Sequence, residues 1–168
     1  MTSQNASTLP QQAVSTCLWF DQQALEAANF YVSLFPNSRI LDIKYFLEGG
    51  PGVAGSVMTV LFSLNGSEYM TLNGGPHFSF SPATSLVAYC DSQPELDQLW
   101  QKLLEDGGKE SHCGWLTDRF GVTWQVVPRA MLPLMSSNDQ AAAQRMIAAM
   151  LKMVKLDMNV LQKAYDDR

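Results

Sequence analysis

Laid on itself with an offset of 70 residues, the chain presents the same order of features twice: a strand, an aspartate, then an amphipathic helix. Ser15 falls on Ser85, Asp21 on Asp91 and Gln23 on Gln93, while the helix core positions Phe30 and Leu34 fall on Trp100 and Leu104. The identities are few, so the shared order of elements carries more weight than the matched letters. A chain of 168 residues with 46% hydrophobic content suits one compact unit or two small fused halves with a shared core, and the repeat favours the halves.

The first half reads β-α-β-β-β. Val14 to Phe20 has strand character, and Asp21 stands where a helix N-cap belongs, ahead of an apolar stripe at Ala24, Ala27, Ala28, Tyr31, Leu34 and Phe35. Pro36-Asn37 ends that helix. Strand-like runs follow at 39–46, 56–64 and 67–72, with Gly-Gly-Pro-Gly at 49–52 and Asn65-Gly66 between the last two. Asn-Gly between such runs predicts a tight hairpin.

The second half repeats the scheme. Asp91 is expected to cap a helix with the stripe Leu96, Leu99, Trp100, Leu103 and Leu104, closed by Gly107-Gly108. The stretch GWLTDRFGVTWQVVP at 114–128 then predicts a hairpin whose turn runs from Asp118 to Gly121. Alternation puts Thr123, Gln125 and Val127 on one face and Val122, Trp124 and Val126 on the other. Trp124 is expected in the core, whereas Gln125 has two readings, a solvated or backbone-satisfying amide or a site residue. Arg119 either orients the turn through Asp118 or is solvated. Beyond Pro133 the chain turns rich in Ala, Met and Lys, with a helical stripe at Ala143, Met146, Ile147, Met150, Leu151 and Val154 and a last short helix capped by Asp157. Six of the nine methionines lie at or beyond Met131, which suits core packing or an adaptable subunit interface.

A formal charge of -5 without any Lys/Arg cluster argues against a nucleic-acid surface and leaves a neutral or cationic small partner open. No charged-then-apolar leader and no apolar run near 18 residues stand in the sequence, so the expectation is a cytoplasmic protein without a membrane partner. Cys17, Cys90 and Cys113 are odd in number and widely spaced, which disfavours a disulfide framework or a zinc knuckle. They read as reduced thiols. The sharper alternative, a nucleophilic cysteine, has only His77 and His112 as imidazole partners.

Three segments, TCLWFDQQALEAANFYVSLFPNSRI, MTLNGGPHF and CGWLTDRFGVTWQVVP, together resemble the PhnB-like proteins of the vicinal oxygen chelate superfamily, relatives of glyoxalase and bleomycin-resistance proteins also labelled demethylubiquinone 3-methyltransferase-like. The resemblance runs from residue 14 to about 165, tail included. It implies an α+β fold of tandem β-α-β-β-β modules, here 14–78 and 83–130, whose sheets curl into half-barrels within a single glyoxalase-like domain over 14–133. A disordered N-terminus over 1–13 and a helical extension over 134–168 would flank it.

The same resemblance implies a cleft in which enzymatic relatives hold a divalent metal with His and Glu from the first and fourth strands of each module. Carried onto this chain, those positions fall at Ser15 (Cys17 in a register shifted by two), Thr71, Ser85 and Gln125. Hydroxyls and a neutral amide are poor ligands for a first-row metal, so no metal and no other cofactor is expected. The residues expected to face the cleft are Ser15, Cys17, Trp19, Tyr69, Thr71, Asn73, Ser85, Val87, Tyr89, Thr123 and Gln125, with His77 beyond Asn73-Gly74-Gly75-Pro76. No carboxylate is among them. That inventory suits a planar, moderately polar small molecule held by stacking and neutral hydrogen bonds. The loop 73–76 is either a plain turn or a backbone approach to that ligand.

The leading expectation is therefore a metal-independent small-molecule-binding protein that pairs as a homodimer, as its superfamily tends to. The alternatives are an enzyme of the glyoxalase-like type, with His77 and Tyr89 as proton carriers, or a methyltransferase as the family label has it. Against the last, the glycines at 49–55, 74–75 and 107–108 fall at hairpins and a helix end, not in a strand-to-helix nucleotide turn.

Overall fold

The computed structural model describes residues 10–167, so most of the N-terminal segment expected to be disordered lies outside the described residues. The chain divides into two compact units between Ser79 and Phe80. Each has the expected α+β organisation.

In the first unit, β1 (Thr16–Phe20), β2 (Arg39–Tyr45), β3 (Val57–Leu64) and β4 (Ser67–Asn73) form a sheet in the order β1-β4-β3-β2, with α1 (Ala24–Leu34) joining β1 to β2. Asn65 and Gly66 adopt φ +45° and +91°, the two positive angles a tight turn between β3 and β4 demands. β1 pairs parallel with β4, Cys17 opposite Met70 and Trp19 opposite Leu72. In-register residues share a face, so the opposite face holds Leu18, Phe20, Thr71, Val60 and Phe62. That face packs on Ala24, Ala27, Ala28 and Tyr31 of α1, all buried, and Tyr31, Phe62 and Tyr69 form a run of adjacent rings.

The expected cap of α1 is corrected. The N-cap is Gln23, which makes no side-chain cap bond; Asn73 at the end of β4 supplies the acceptor, its Oδ1 receiving the Ala24 amide at 2.8 Å. Asp21 lies too far ahead of the first turn. A donor left at a helix start can be satisfied from any direction, and here the neighbouring strand reaches it.

The second unit repeats the order with β5 (Leu86–Cys90), α2 (Gln93–Leu104), β6 (Lys109–Glu110), β7 (Trp115–Thr117) and β8 (Thr123–Pro128), arranged β5-β8-β7-β6. β5 and β8 are again parallel, with Val87 opposite Gln125 and Tyr89 opposite Val127. Leu96, Leu99, Trp100 and Leu103 are buried on α2 as their spacing requires. Its N-cap is Ser92 and not Asp91: Ser92 accepts from the Glu95 amide, while the Asp91 carboxylate accepts from Arg129 Nε at 2.9 Å.

The hairpin of β7 and β8 is organised by Asp118. Its buried carboxylate accepts from the amides of Phe120 and Val122 through Oδ1 and from Trp124 Nε1 at 2.8 Å through Oδ2. The Arg119 guanidinium pairs with Asp106 at 2.9 Å and lies 4.7 Å over the Phe120 ring, so it is not simply solvated.

The tail forms α3 (Met131–Met135), α4 (Gln140–Met150) and α5 (Met158–Asp166), the last capped by Asp157 as expected. The α4 stripe stops short: Ala143 and Met146 are buried, but the helix ends at Met150, leaving Leu151 and Val154 exposed on a connecting strap. That strap is tied down. Cys113 and Gly114 donate their amides to Met153 and Val154 carbonyls, and the Gln93 amide side chain bridges the Leu156 carbonyl and the Met158 amide. No helix among the described residues is long and apolar enough to cross a membrane.

Replacing Asp118 by Ala strands three donors at once, one of them a buried indole. Urea unfolding of Asp118→Ala is expected to show a loss of about 3 kcal/mol, the penalty for buried unsatisfied donors; a loss below about 1 kcal/mol would show that water or a neighbour replaces the carboxylate.

Candidate functional site

Trp19 is too large for its place unless something yields, and the yielding residue is Gly74. A Cβ on Gly74 would stand 2.1 Å from the Trp19 ring. The missing side chain lets the loop after β4 lie against the indole, whose Nε1 donates to the Gly75 carbonyl at 2.9 Å. Gly75 itself takes φ +85°, a conformation side chains rarely adopt. Phe78 meets the same ring edge-to-face, centroids 5.0 Å apart. The loop is anchored by the parallel ladder running past its strands, with the Gly74 amide bonded to the Phe20 carbonyl and the Gly75 amide to that of Asp21.

A second glycine loop faces this one. Between β2 and β3, Gly52 accommodates the Phe46 ring, which a Cβ there would meet at 2.5 Å, and the Gly55 amide bonds back to the Phe46 carbonyl. Phe46 and Trp19 thus become walls of one cavity of about 880 Å³ in the first unit, completed by Leu25, Met58, Leu72 and Pro76. That volume lies within the range of small-molecule sites.

The polar side chains of its wall divide into two groups. Asn73 has both ends of its amide engaged, Oδ1 with Ala24 and Nδ2 with the Val57 carbonyl at 3.0 Å, and Ser56 donates to the Val53 carbonyl. Among the described residues, Asp21, Gln22 and His77 present side chains that have no protein hydrogen-bond partner, and no Lys or Arg lines the cavity.

Of the residues expected to face a cleft, Trp19, Asn73 and His77 line this cavity. Ser15 and Cys17 are exposed on the β1 side that carries Trp19. Tyr69 and Thr71 are corrected to the other face of the sheet: Thr71 is fully buried and its hydroxyl donates to the Ala24 carbonyl at 2.9 Å, while Tyr69 stacks on Phe62. Ser85, Val87, Tyr89 and Gln125 do share one face in the second unit, where Gln125 Nε2 donates to Ser85 Oγ at 2.9 Å and the Arg129 guanidinium lies 5.3 Å from the Tyr89 ring. Thr123, expected on that face, is buried. His112 is exposed. Phe46, Gly52, Leu25 and Met58 were missed; an aromatic residue followed by Gly-Gly-Pro-Gly was the signal that could have found two of them.

The family model that describes 3-demethylubiquinone-9 3-methyltransferase matches residues 12–127. The chain belongs to this PhnB-like family. The PhnB protein from Bacillus cereus is 38% identical over 70% of this chain and 99% of its own, with a TM-score of 0.64. A protein from Pseudomonas aeruginosa shares the fold at 21% identity and a TM-score of 0.54, over 70% of this chain and 98% of its own. No curated protein matches the chain. The family match ends at residue 127, before α3, and so does not reach the helical tail that the resemblance was expected to include.

Two groups that the resemblance led one to expect in enzymatic relatives meet unsuitable residues. For a metal, the strand register revises one of the four expected ligand positions. Gln125 pairs with Val87, and the equivalent pair in the first unit is Met70 with Cys17, so Met70 replaces Thr71 in that place. A thioether, an amide and hydroxyls, with at most the single thiol of Cys17, are a poor donor set for a first-row divalent metal, and no group of three His, Cys, Asp or Glu comes together among the described residues. For S-adenosylmethionine bound in the common α/β manner, the turns from β1 to α1 (Asp21-Gln22-Gln23) and from β5 to α2 (Asp91-Ser92) contain no glycine.

Gly74→Ala is expected to push the indole off the wall and cost about 1–3 kcal/mol of stability, the range for overpacking, with a shift of the Trp19 indole N–H resonance. An unshifted resonance would mean that the loop moves instead. Thiol labelling separates the cysteines. Burial, with Glu95 and Asp91 adding to it and Arg129 opposing, pushes the Cys90 thiol up to about 12; partial desolvation by its neighbours also raises Cys17, although that residue is accessible to reagent. At pH 8 only about one Cys90 in 10⁴ is thiolate, so iodoacetamide should label Cys17 in the folded protein and Cys90 only on unfolding. Equal rates would contradict that environment.

Proposed function

We propose that the protein is a metal-independent small-molecule-binding member of the PhnB-like family and that the cavity walled by Trp19 and Phe46 is its binding site. The observation that carries the reading is the pair of glycine-relieved rings: two aromatic faces held by backbone that only glycine permits. Rigid aromatic walls bind planar molecules with little loss of side-chain freedom. The ligand positions of metal-dependent relatives, filled here by Ser15 or Cys17, Met70, Ser85 and Gln125, favour the metal-free version. Trp19 and His77 carry the site in this reading, with Asn73 fixing its walls, and the Ser85–Gln125 pair with Tyr89 forms a separate polar patch of the second unit.

An enzyme is the second reading, and His77 favours it, since an imidazole at the edge of an apolar cavity is placed to move a proton. A homodimer also belongs to the proposal, supported by the exposed apolar residues of the tail region, Leu132, Met135, Leu151, Val154 and Val160.

Native mass spectrometry of the protein purified without added metal tests all of this. The expected result is a dimer free of stoichiometric metal, carrying a small additional mass or taking one up from a metabolite mixture. A stoichiometric divalent ion would overturn the metal-free reading, and a monomer would remove the dimer.

A further inference from the structure

We propose that the cavity of the first unit selects an aromatic ligand that bears an amine or ammonium group, and that Asp21 is the residue that reads this group. The inference rests on the cavity being the binding site. Its walls are two rings, Trp19 and Phe46, with aliphatic side chains from Leu25, Met58 and Leu72 between them. Such a surface takes a planar apolar body. The polar end of the ligand must then be matched by whatever side chains remain unengaged.

That set is short. Asn73 and Ser56 are held by the backbone, and the Trp19 N–H is held by Gly75. The side chains left are Asp21, Gln22 and His77, and Asp21 is the only carboxylate in the wall. An anionic ligand would enter an apolar space with no Lys or Arg to compensate its lost hydration, and would face a like charge at Asp21. A cation or amine meets the opposite situation. It donates to the carboxylate of Asp21 and also gains from the faces of Trp19 and Phe46, which attract positive charge. A carboxylate- or phosphate-bearing substrate is therefore the class this site rejects.

Asp21 is exposed, so its effect is that of a solvent-screened charge and its contribution is moderate. It also makes no side-chain hydrogen bond among the described residues, so Asp21→Asn removes no such contact from the fold.

The test uses three probes of one shape: 2-naphthylmethylamine, 2-naphthylmethanol and 2-naphthoate. Each is titrated calorimetrically into the full chain, and binding is located by the shift of the Trp19 indole N–H resonance, assigned with Trp19→Phe. The amine is expected to bind about 3–10-fold tighter than the alcohol, and the alcohol about tenfold tighter than the carboxylate, the range for one partly screened charge. In Asp21→Asn the amine-to-alcohol ratio is expected to fall toward one while the alcohol's affinity stays unchanged. If the carboxylate binds as tightly as the amine, or if Asp21→Asn leaves the ratio as it was, the ligand class is wrong although the cavity still binds. If none of the three moves the Trp19 resonance, the cavity is not the site and the functional reading falls with the inference.

Discussion

The parallel pairing of the first strand with the fourth in each unit is the constraint on which the rest depends. Parallel neighbours cannot be joined by a hairpin, so the chain must cross one face of the sheet between them, and α1 and α2 begin those crossings. The same pairing fixes which residues look the same way. It puts Trp19 beside Leu72 in one unit and Tyr89 beside Val127 in the other. The ladder also outlasts the strands: Gly74 donates to Phe20 and Arg129 to Cys90, one residue past β4 and β8 respectively. The segment after each fourth strand is thereby held against the end of the first. In the first unit that held segment is the loop that clamps Trp19.

Elements with a strong local signal could be read from the sequence, and elements satisfied from a distance could not. Asn65-Gly66, the α2 stripe and the β7–β8 hairpin depend on neighbours a few residues away, and each stands where its pattern put it. The face of β4 depends on a partner fifty residues off. Tyr69, Thr71 and Asn73 look like a polar cleft face when read alone, because hydroxyls and amides on a strand suggest solvent or ligand. Tyr69 and Thr71 turn to the α1 side instead, and Asn73, although it lines the cavity, is engaged by the helix start: Thr71 donates to the Ala24 carbonyl and Asn73 accepts from the Ala24 amide. Polar residues under a helix are tolerated when its first turn supplies partners. The caps failed for the related reason that Asp21 and Asp91 were judged by sequence position, while capping depends on where an acceptor ends up in space.

The cavity proposed as the site was legible in part. Trp19 and His77 emerged from alternation and from the Asn-Gly-Gly-Pro loop, but the facing wall did not, since Phe46 sits past the end of β2 in what reads as loop. Nothing local says that a ring will fold over Gly52. A wall made by two loops from different parts of the chain exists only through the ladder and turns that bring them together, which single-strand periodicity does not encode.

The residues that shape the cavity also hold the first unit together, and this bears on how it can bind. Asn73 ties the start of α1 to Val57 at the root of the second loop, so one amide side chain fixes the spacing of both walls. Trp19 is anchored by a backbone carbonyl rather than by a mobile side chain. A cavity built this way is present before any ligand arrives, and little ordering remains to oppose binding. Shape is then set by the fold, and selectivity falls to the few polar groups the fold does not use. In this chain those are Asp21, Gln22 and His77, clustered where β1 gives way to α1 and where β4 gives way to its loop.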